Sequence, residues 1–411
     1  MAIASDAVSF ARIQPEMSSA AAPAAISADA ISSTEPSQAQ IDNETPTTTV
    51  KRPRTKPRIV LDGTPDEILA RNSRAASPAF VDKLVQRAGT HWNRFYSNHA
   101  RSSTPFFKDR HWTEREWPQL AQLAAGESLS STADADGDGS DCTQERRKLE
   151  KGKGKAVLEV GCGTGAFIYP LLERYPHARF VAFDFAKKAV ELAMDHPLYS
   201  PSSCHVFQHD LTLPLPVLSD KLVQCPPEFG DPVQEEDFDI VSCIFVLSAL
   251  APRTHAPALE TLLSLLTPGG WLLFRDYALR DAAQLRFHSL PSASYATEPS
   301  LLSPRAPDSA HVAAPAILPS SDPAANMTTL ESNLPFYRRG DNTLTYFFTP
   351  EEIETHIATA LASVNAARTA AGKAPIELEG GVEVVEREME NRKEGWGCTR
   401  RFVHGSWRSR S

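Results

Sequence analysis

Residues 157–165 read VLEVGCGTG. A short apolar run ends in glycines at 161, 163 and 165, and a helix-like stretch follows over 166–174. The first glycine permits a tight turn, and the next lets the backbone approach a ligand closely. A strand that ends this way commits the chain to a β-turn-α unit. Strand-like runs recur at 179–183, 205–208, 238–247 and 271–277, separated by helix-like stretches at 187–196 and 256–266. Strands alternating with helical patterns of this length predict βαβ units and a parallel sheet, hence an α/β fold.

The spacing narrows the ligand. The turn is GxGxG, not the GxGxxG of dinucleotide binders. Glu159 lies two residues before Gly161. Acids end the next two strands, at Asp184 and Asp210. Asp184 follows Gly161 by 23 residues, the interval at which a carboxylate meets a ribose. Asp210, followed by Leu211, would face an exocyclic amine such as adenine N6. Nothing in the pattern demands a pyrophosphate, so an adenosyl sulfonium, S-adenosylmethionine, fits better than a nicotinamide dinucleotide. The competing reading is a structural glycine turn that binds nothing.

The flanks have a different character. The 411 residues include 32 prolines, about 8% against a usual ~5%. Residues 1–79 read as a disordered tail, poor in aromatics and unable to bury a core. Within it, 51–58 (KRPRTKPR) carries five positive charges. That run reads equally as a nuclear localisation signal, a phosphate-binding arm or a solvated linker. Residues 126–150 read as an acidic flexible linker, and 288–332 as a low-complexity insert rich in Pro, Ser and Ala. Between tail and linker, 80–125 interleaves Trp92, Phe95, Tyr96, Phe106, Phe107, Trp112 and Trp117 with Lys and Arg. Residues 151–411 then hold the catalytic domain, in which 382–388 and 400–407 read as an antiparallel pair of strands.

Several classes are excluded. No apolar run approaches the ~18 residues that span a bilayer. The six cysteines contain no CxxC pair, which argues against structural zinc, and no metal is expected. The formal net charge of −9 excludes a protein that coats nucleic acid non-specifically. It does not exclude a local site, because the charge is uneven. Acids crowd 1–50, 126–141 and 225–239, whereas 82–116 carries seven bases against four acids.

The chain resembles the tRNA N(3)-methylcytidine methyltransferases. The resemblance is carried by HWNRFYSNHA (91–100), FFKDRHWTERE (106–116), LEVGCGTG (158–165), AFDFAKKAVE (182–191), VFQHDLT (206–212), IFVLSAL (244–250), LFRDYALRDAAQLRF (273–287), YRRGDNTLTYFFT (337–349) and REMENRKEG (387–395). FFKDRHW and IFVLSAL are far more specific than the glycine turn. Two departures stand out: the Pro/Ser tract expands a connection that is short in the family, and Asn342 replaces a glycine after Asp341. Asn tolerates a left-handed turn, so the element should survive.

The resemblance implies a Rossmann-like, seven-stranded S-adenosylmethionine-dependent methyltransferase fold with an N-terminal aromatic and basic extension and disordered inserts. It implies methylation of cytosine N3 at position 32 of the tRNA anticodon loop; the expected compartment is the cytoplasm, with the nucleus as a second one. Some family members need a helper protein such as a tRNA synthetase. The alternatives are a methyltransferase of a protein or small molecule, and a non-catalytic RNA-binding protein. Cofactor contacts fall on Trp92 and Tyr96, closing as a lid, and on Gly161, Gly163, Asp184, Asp210, Leu211 and Ile244. Catalytic roles fall on Asp276, set against the target cytosine, and Arg110, either holding its O2 or packing over the cofactor. The bland readings are an Arg275–Asp276 ion pair, an Arg110 phosphate contact, and core roles for Trp92, Tyr96 and Ile244.

Overall fold

The structure is a computed structural model that describes residues 63–71, 75–100, 108–126, 154–289, 301–303, 335–391 and 396–410. The basic run 51–58, the linker 127–150 and most of the 288–332 insert lie outside the described residues.

Five parallel strands form the centre: β1 (Ala156–Val160), β2 (Arg179–Asp184), β3 (Cys204–Gln208), β4 (Phe238–Ile244) and β5 (Leu266–Tyr277). Two long antiparallel strands complete the sheet, β9 (Glu377–Asn391) and β10 (Trp396–Arg410), in the order β3-β2-β1-β4-β5-β10-β9. The seven-stranded expectation therefore holds, and the hairpin is longer at both ends than its apolar pattern indicated. The interior strands are mostly apolar because both faces are covered, with charged residues near their ends, such as Glu159, Arg275 and Asp276. In β1 all five residues are buried. Val157 joins one core with Phe167, Ile168, Leu273 and Trp117, while Leu158 and Val160 join the other with Leu259, Phe274 and Val403. Glu159 alternates onto the Val157 face.

Helices α5 (Ile168–Arg174), α6 (Lys187–Met194), α7 (Leu215–Val223) and α8 (His255–Ser264) connect the strands. The longest helix, Pro350–Ala370 (α10), starts where Thr349 and Pro350 predict. Thr349 and Glu352 form a reciprocal capping box, with Pro350 at the first turn.

The N-terminal segment packs on this sheet. It comprises α1 (Pro65–Ala70), α2 (Pro78–Gln86), α3 (Ala88–His99), α4 (Thr113–Glu116) and a 3-10 stretch, Pro118–Gly126. Helix α1 corrects the reading of 1–79 as wholly disordered. Thr64 and Glu67 form a capping box, Ile68 is fully buried, and Arg280 Nε donates to Asp66 Oδ1 at 2.8 Å. Four residues of cap chemistry were lost in the average composition of a long polar tail. The 288–332 insert contributes one short described strand. Within it, Leu301–Ser303 (β6) pairs with Phe336–Arg338 (β7), which pairs with Leu344–Tyr346 (β8). Helix α9 (Ala282–Ser289) precedes this small sheet. Asn342 takes the left-handed conformation expected of it, with φ +68°.

Candidate functional site

The glycine turn lies where β1 ends. Gly161, Gly163 and Gly165 have φ of +59°, +57° and +86°, which an L side chain adopts only at a cost. Space is also short. A Cβ on Gly161 would lie 2.5 Å from Val246 Cγ2, and one on Gly163 would lie 2.9 Å from the Tyr96 hydroxyl. Helix α3 thus presses Tyr96 directly against the turn. It is held there by Asn93, whose Oδ1 accepts from the Lys188 amide at 2.9 Å at the start of α6. Trp92 is half-buried, 6.1 Å from the Tyr96 ring, and both pack with Phe95 against α6.

The expected cofactor contacts converge unevenly. Asp184 is buried. Its Oδ2 accepts from the Gly163 amide at 2.9 Å and its Oδ1 from the Ala186 amide at 2.8 Å. Burial lifts its pKa to about 6 even though both amides favour the charge. Asp184 therefore shapes the glycine turn as well as ending β2. Asp210 Oδ1 accepts from the Thr212 amide and hydroxyl at 2.9 and 2.7 Å, which fixes the turn after β3. Leu211 and Ile244 are both buried and pack in the two cores.

The strongest sign of a ligand is an unmet charge. Glu159 is fully buried, and neither of its carboxylate oxygens has a well-formed hydrogen bond, the Ile168 amide being a weak contact at most; Arg110 Nη1 is buried without a hydrogen bond too. The two groups stand 3.6 Å apart. Burial raises the Glu159 pKa to about 8, with Arg110 and, more weakly, the Ile168 amide pulling the other way. Buried polar groups are nearly always satisfied. A zwitterion with an ammonium and a carboxylate, such as the amino-acid end of S-adenosylmethionine, suits this pair beside the glycine turn.

Arg110 is fixed by its backbone. Its N–H donates to the Ala166 carbonyl at 2.7 Å, and its own carbonyl accepts from the Thr113 amide and hydroxyl. Its guanidinium lies 5.8 Å from the centre of the Phe245 ring. It faces inward, beside the glycine turn. Asp276 is fully buried at the end of β5. Oδ2 accepts from the Ser248 amide at 2.9 Å and Oδ1 from the Tyr277 amide at 2.8 Å. Burial raises its pKa to about 6, opposed by Ser248 and Arg339.

An Arg275–Asp276 ion pair does not form. Neighbouring residues on a strand point to opposite faces, and Arg275 binds Glu116 instead. Glu116 was absent from the expected site, and only its place inside FFKDRHWTERE could have marked it. Two aromatic residues were also missed. Phe245 and Tyr277 meet with ring centres 5.0 Å apart beside Asp276. Arg339 and Arg400 each lie 5.6 Å from the Tyr277 ring centre. Phe245 has φ +61°, a costly backbone for an aromatic residue. Each of the two immediately follows a residue already singled out, Ile244 and Asp276.

Comparison with known proteins agrees with this geometry. A family profile described as a methyltransferase domain matches residues 158–272. Over 240 residues the chain is 36% identical to the Rattus norvegicus tRNA N(3)-cytidine methyltransferase METTL6, covering 58% of this chain and 69% of that one. The human METTL6 is 36% identical over 228 residues, covering 56% of this chain and 66% of its own length. The Danio rerio METTL2 is 31% identical over 292 residues, covering 69% of this chain and 67% of its own. The matched region thus spans about two thirds of each relative. With the glycine cradle and the sheet order in place, identity over that span decides the matter: the chain belongs to the tRNA N(3)-cytidine methyltransferase family.

Proposed function

We propose that the protein methylates N3 of the cytidine at position 32 of tRNA anticodon loops, in the cytoplasm. S-adenosylmethionine supplies an electrophilic methyl group when bound. The observation that carries this reading is Asp276, a fully buried carboxylate beside two partly exposed aromatic rings at the end of β5. Ligands of open α/β sheets bind at these strand ends.

Cytosine N3 has an in-plane lone pair and no proton at neutral pH. No general base is needed to create the nucleophile, so positioning supplies most of the rate, up to ~7–11 kcal/mol. The base must leave its stack to expose N3, which is least costly in a loop. Phe245 and Tyr277 offer it a face. Asp276 accepts from the N4 amine and stabilises the cation that develops on the ring. Gly161 and Gly163 admit the cofactor, Trp92 and Tyr96 cover it, and Glu159 and Arg110 meet its amino-acid end. Asp184 serves the ribose, while Asp210, Leu211 and Ile244 border the adenine. Segment 80–125 is then lid and tRNA contact together.

The test is incubation of the purified protein with labelled S-adenosylmethionine and total tRNA, followed by nucleoside mapping. 3-Methylcytidine at position 32 is expected. A parallel sample with cell extract asks whether a helper protein, such as a tRNA synthetase, is required. Label in protein or small molecules with none in tRNA, in both samples, would overturn the reading.

A further inference from the structure

Glu116 closes helix α4 with its side chain 7% exposed, and it meets cations from two distant strands. Arg275 of β5 binds its Oε2, and Arg387 Nη2 of β9 donates to its Oε1 at 3.0 Å. His404 of β10 approaches at 3.8 Å. The Arg275 guanidinium is sandwiched by aromatics, 4.7 Å from the Trp112 ring centre and 4.4 Å from that of Phe402. Trp117 follows directly, donating to the Gly405 carbonyl at 3.3 Å and stacking on His404 at 4.7 Å. The segment is anchored to β5, β9 and β10 here, while Glu114, two residues earlier, accepts from the Tyr175 hydroxyl at 2.6 Å and ties it to the end of α5.

The same segment carries Arg110. The Thr113 amide and hydroxyl, at the first turn of α4, bond the Arg110 carbonyl, so Arg110 and Glu116 are the two ends of one short rigid unit. On the sheet side, Arg275 directly precedes Asp276 on β5. One ion pair therefore connects the two candidate catalytic residues.

We infer that Glu116 is a positioning residue: through Arg275 and Arg387 it sets Arg110 in register with the end of β5. The inference rests on the methyl-transfer reading, and presumes that the wild-type protein forms 3-methylcytidine.

The test is a double-mutant cycle on kcat. Glu116→Gln keeps size and removes the charge. It should lower kcat about tenfold in the wild-type background and less than about twofold when Arg110→Ala is already present, since coupled residues are non-additive. Arg387→Met, at a partly exposed partner, tests the same hub if Glu116→Gln does not fold. It should lower kcat about threefold, again only while Arg110 is present. Equal losses in both backgrounds, or unchanged kcat in the folded variants, would overturn the inference and leave Glu116 as a purely structural contact. A failure of the methyl-transfer reading looks different, because wild-type protein would then give no product at all.

Discussion

Glu159 and Arg110 face each other at 3.6 Å inside the protein, and neither completes its hydrogen bonds. A buried carboxyl and guanidinium left this way stand ready for a charged partner. Because burial holds the Glu159 pKa at about 8, it takes up a proton on folding at neutral pH. The sign follows from linkage: a raised acid stabilises the fold below its unfolded pKa and loses that contribution as pH rises through the folded value. The thermal midpoint of the ligand-free protein should carry a component that falls between about pH 5 and pH 8. Glu159→Gln should remove that component and melt higher than wild type at pH 8. Binding of S-adenosylhomocysteine, whose ammonium favours the charged carboxylate, should release a proton near pH 7. Calorimetry in buffers of different ionisation enthalpy reads that proton directly, and Glu159→Gln should abolish it.

A second prediction concerns the lid. Gly163 has φ +57°, and a Cβ there would lie 2.9 Å from the Tyr96 hydroxyl. Gly163→Ala should cost about 1–2 kcal/mol from backbone strain alone. It should also weaken S-adenosylhomocysteine at least ~10-fold by pushing Tyr96 out of place. Removing the hydroxyl with Tyr96→Phe relieves the clash but not the strain. The double variant should therefore recover affinity while remaining as heat-sensitive as Gly163→Ala. Equal affinity in the single and double variants would show that Tyr96 does not press on the turn.

The glycine turn, the acid that ends β2 and the acid in the turn just after β3 were legible in the sequence because their chemistry is local. A turn needs its glycines within a few positions, and an acid at a strand end is fixed by the strand. The Glu116–Arg275 pair was not legible. Its partners are 159 residues apart, and nothing in either neighbourhood marks the other. Asp276 stands at the end of β5 as the strand pattern placed it, and the bland alternative of an Arg275–Asp276 ion pair fails because strand alternation sends Arg275 to the opposite face. Phe245 was hidden for another reason. It continues an apolar strand pattern, and only the backbone reveals that it has left the strand with positive φ.

A third prediction concerns Asp276. Its pKa of about 6 lies above the ordinary 3.8 because it is buried. The ionised form is the one that would stabilise a cationic base. Single-turnover methylation should therefore fall as pH drops through about 6. Asp276→Asn should lower kcat by about 10²-fold, in the range seen when one electrostatic stabiliser is removed. The affinity for S-adenosylhomocysteine should stay within about twofold, because the residue serves the base and not the cofactor. Unchanged turnover in Asp276→Asn would remove the residue from catalysis.

Tyr277 offers the sharpest separation of substrate from cofactor. Its ring lies 5.0 Å from Phe245, and the Arg339 and Arg400 guanidiniums each stand 5.6 Å from its centre. Stacking of one base on such a ring is worth about 1–3 kcal/mol, and the Arg339 guanidinium attracts the adjoining phosphates, whereas Arg400 is held by Asp281. Tyr277→Ala should therefore raise the KM for tRNA by roughly 5- to 150-fold while leaving S-adenosylhomocysteine affinity unchanged. Tyr277→Phe retains the ring and should stay close to wild type. Such phosphate contacts add a salt dependence: the tRNA KM of the wild-type protein should rise between about 50 and 200 mM salt. Arg339→Gln should flatten that slope by about one counterion without changing the preference for cytidine. If Tyr277→Ala instead weakened the cofactor and spared tRNA, the aromatic face beside Asp276 would belong to the methyl donor and not to the base.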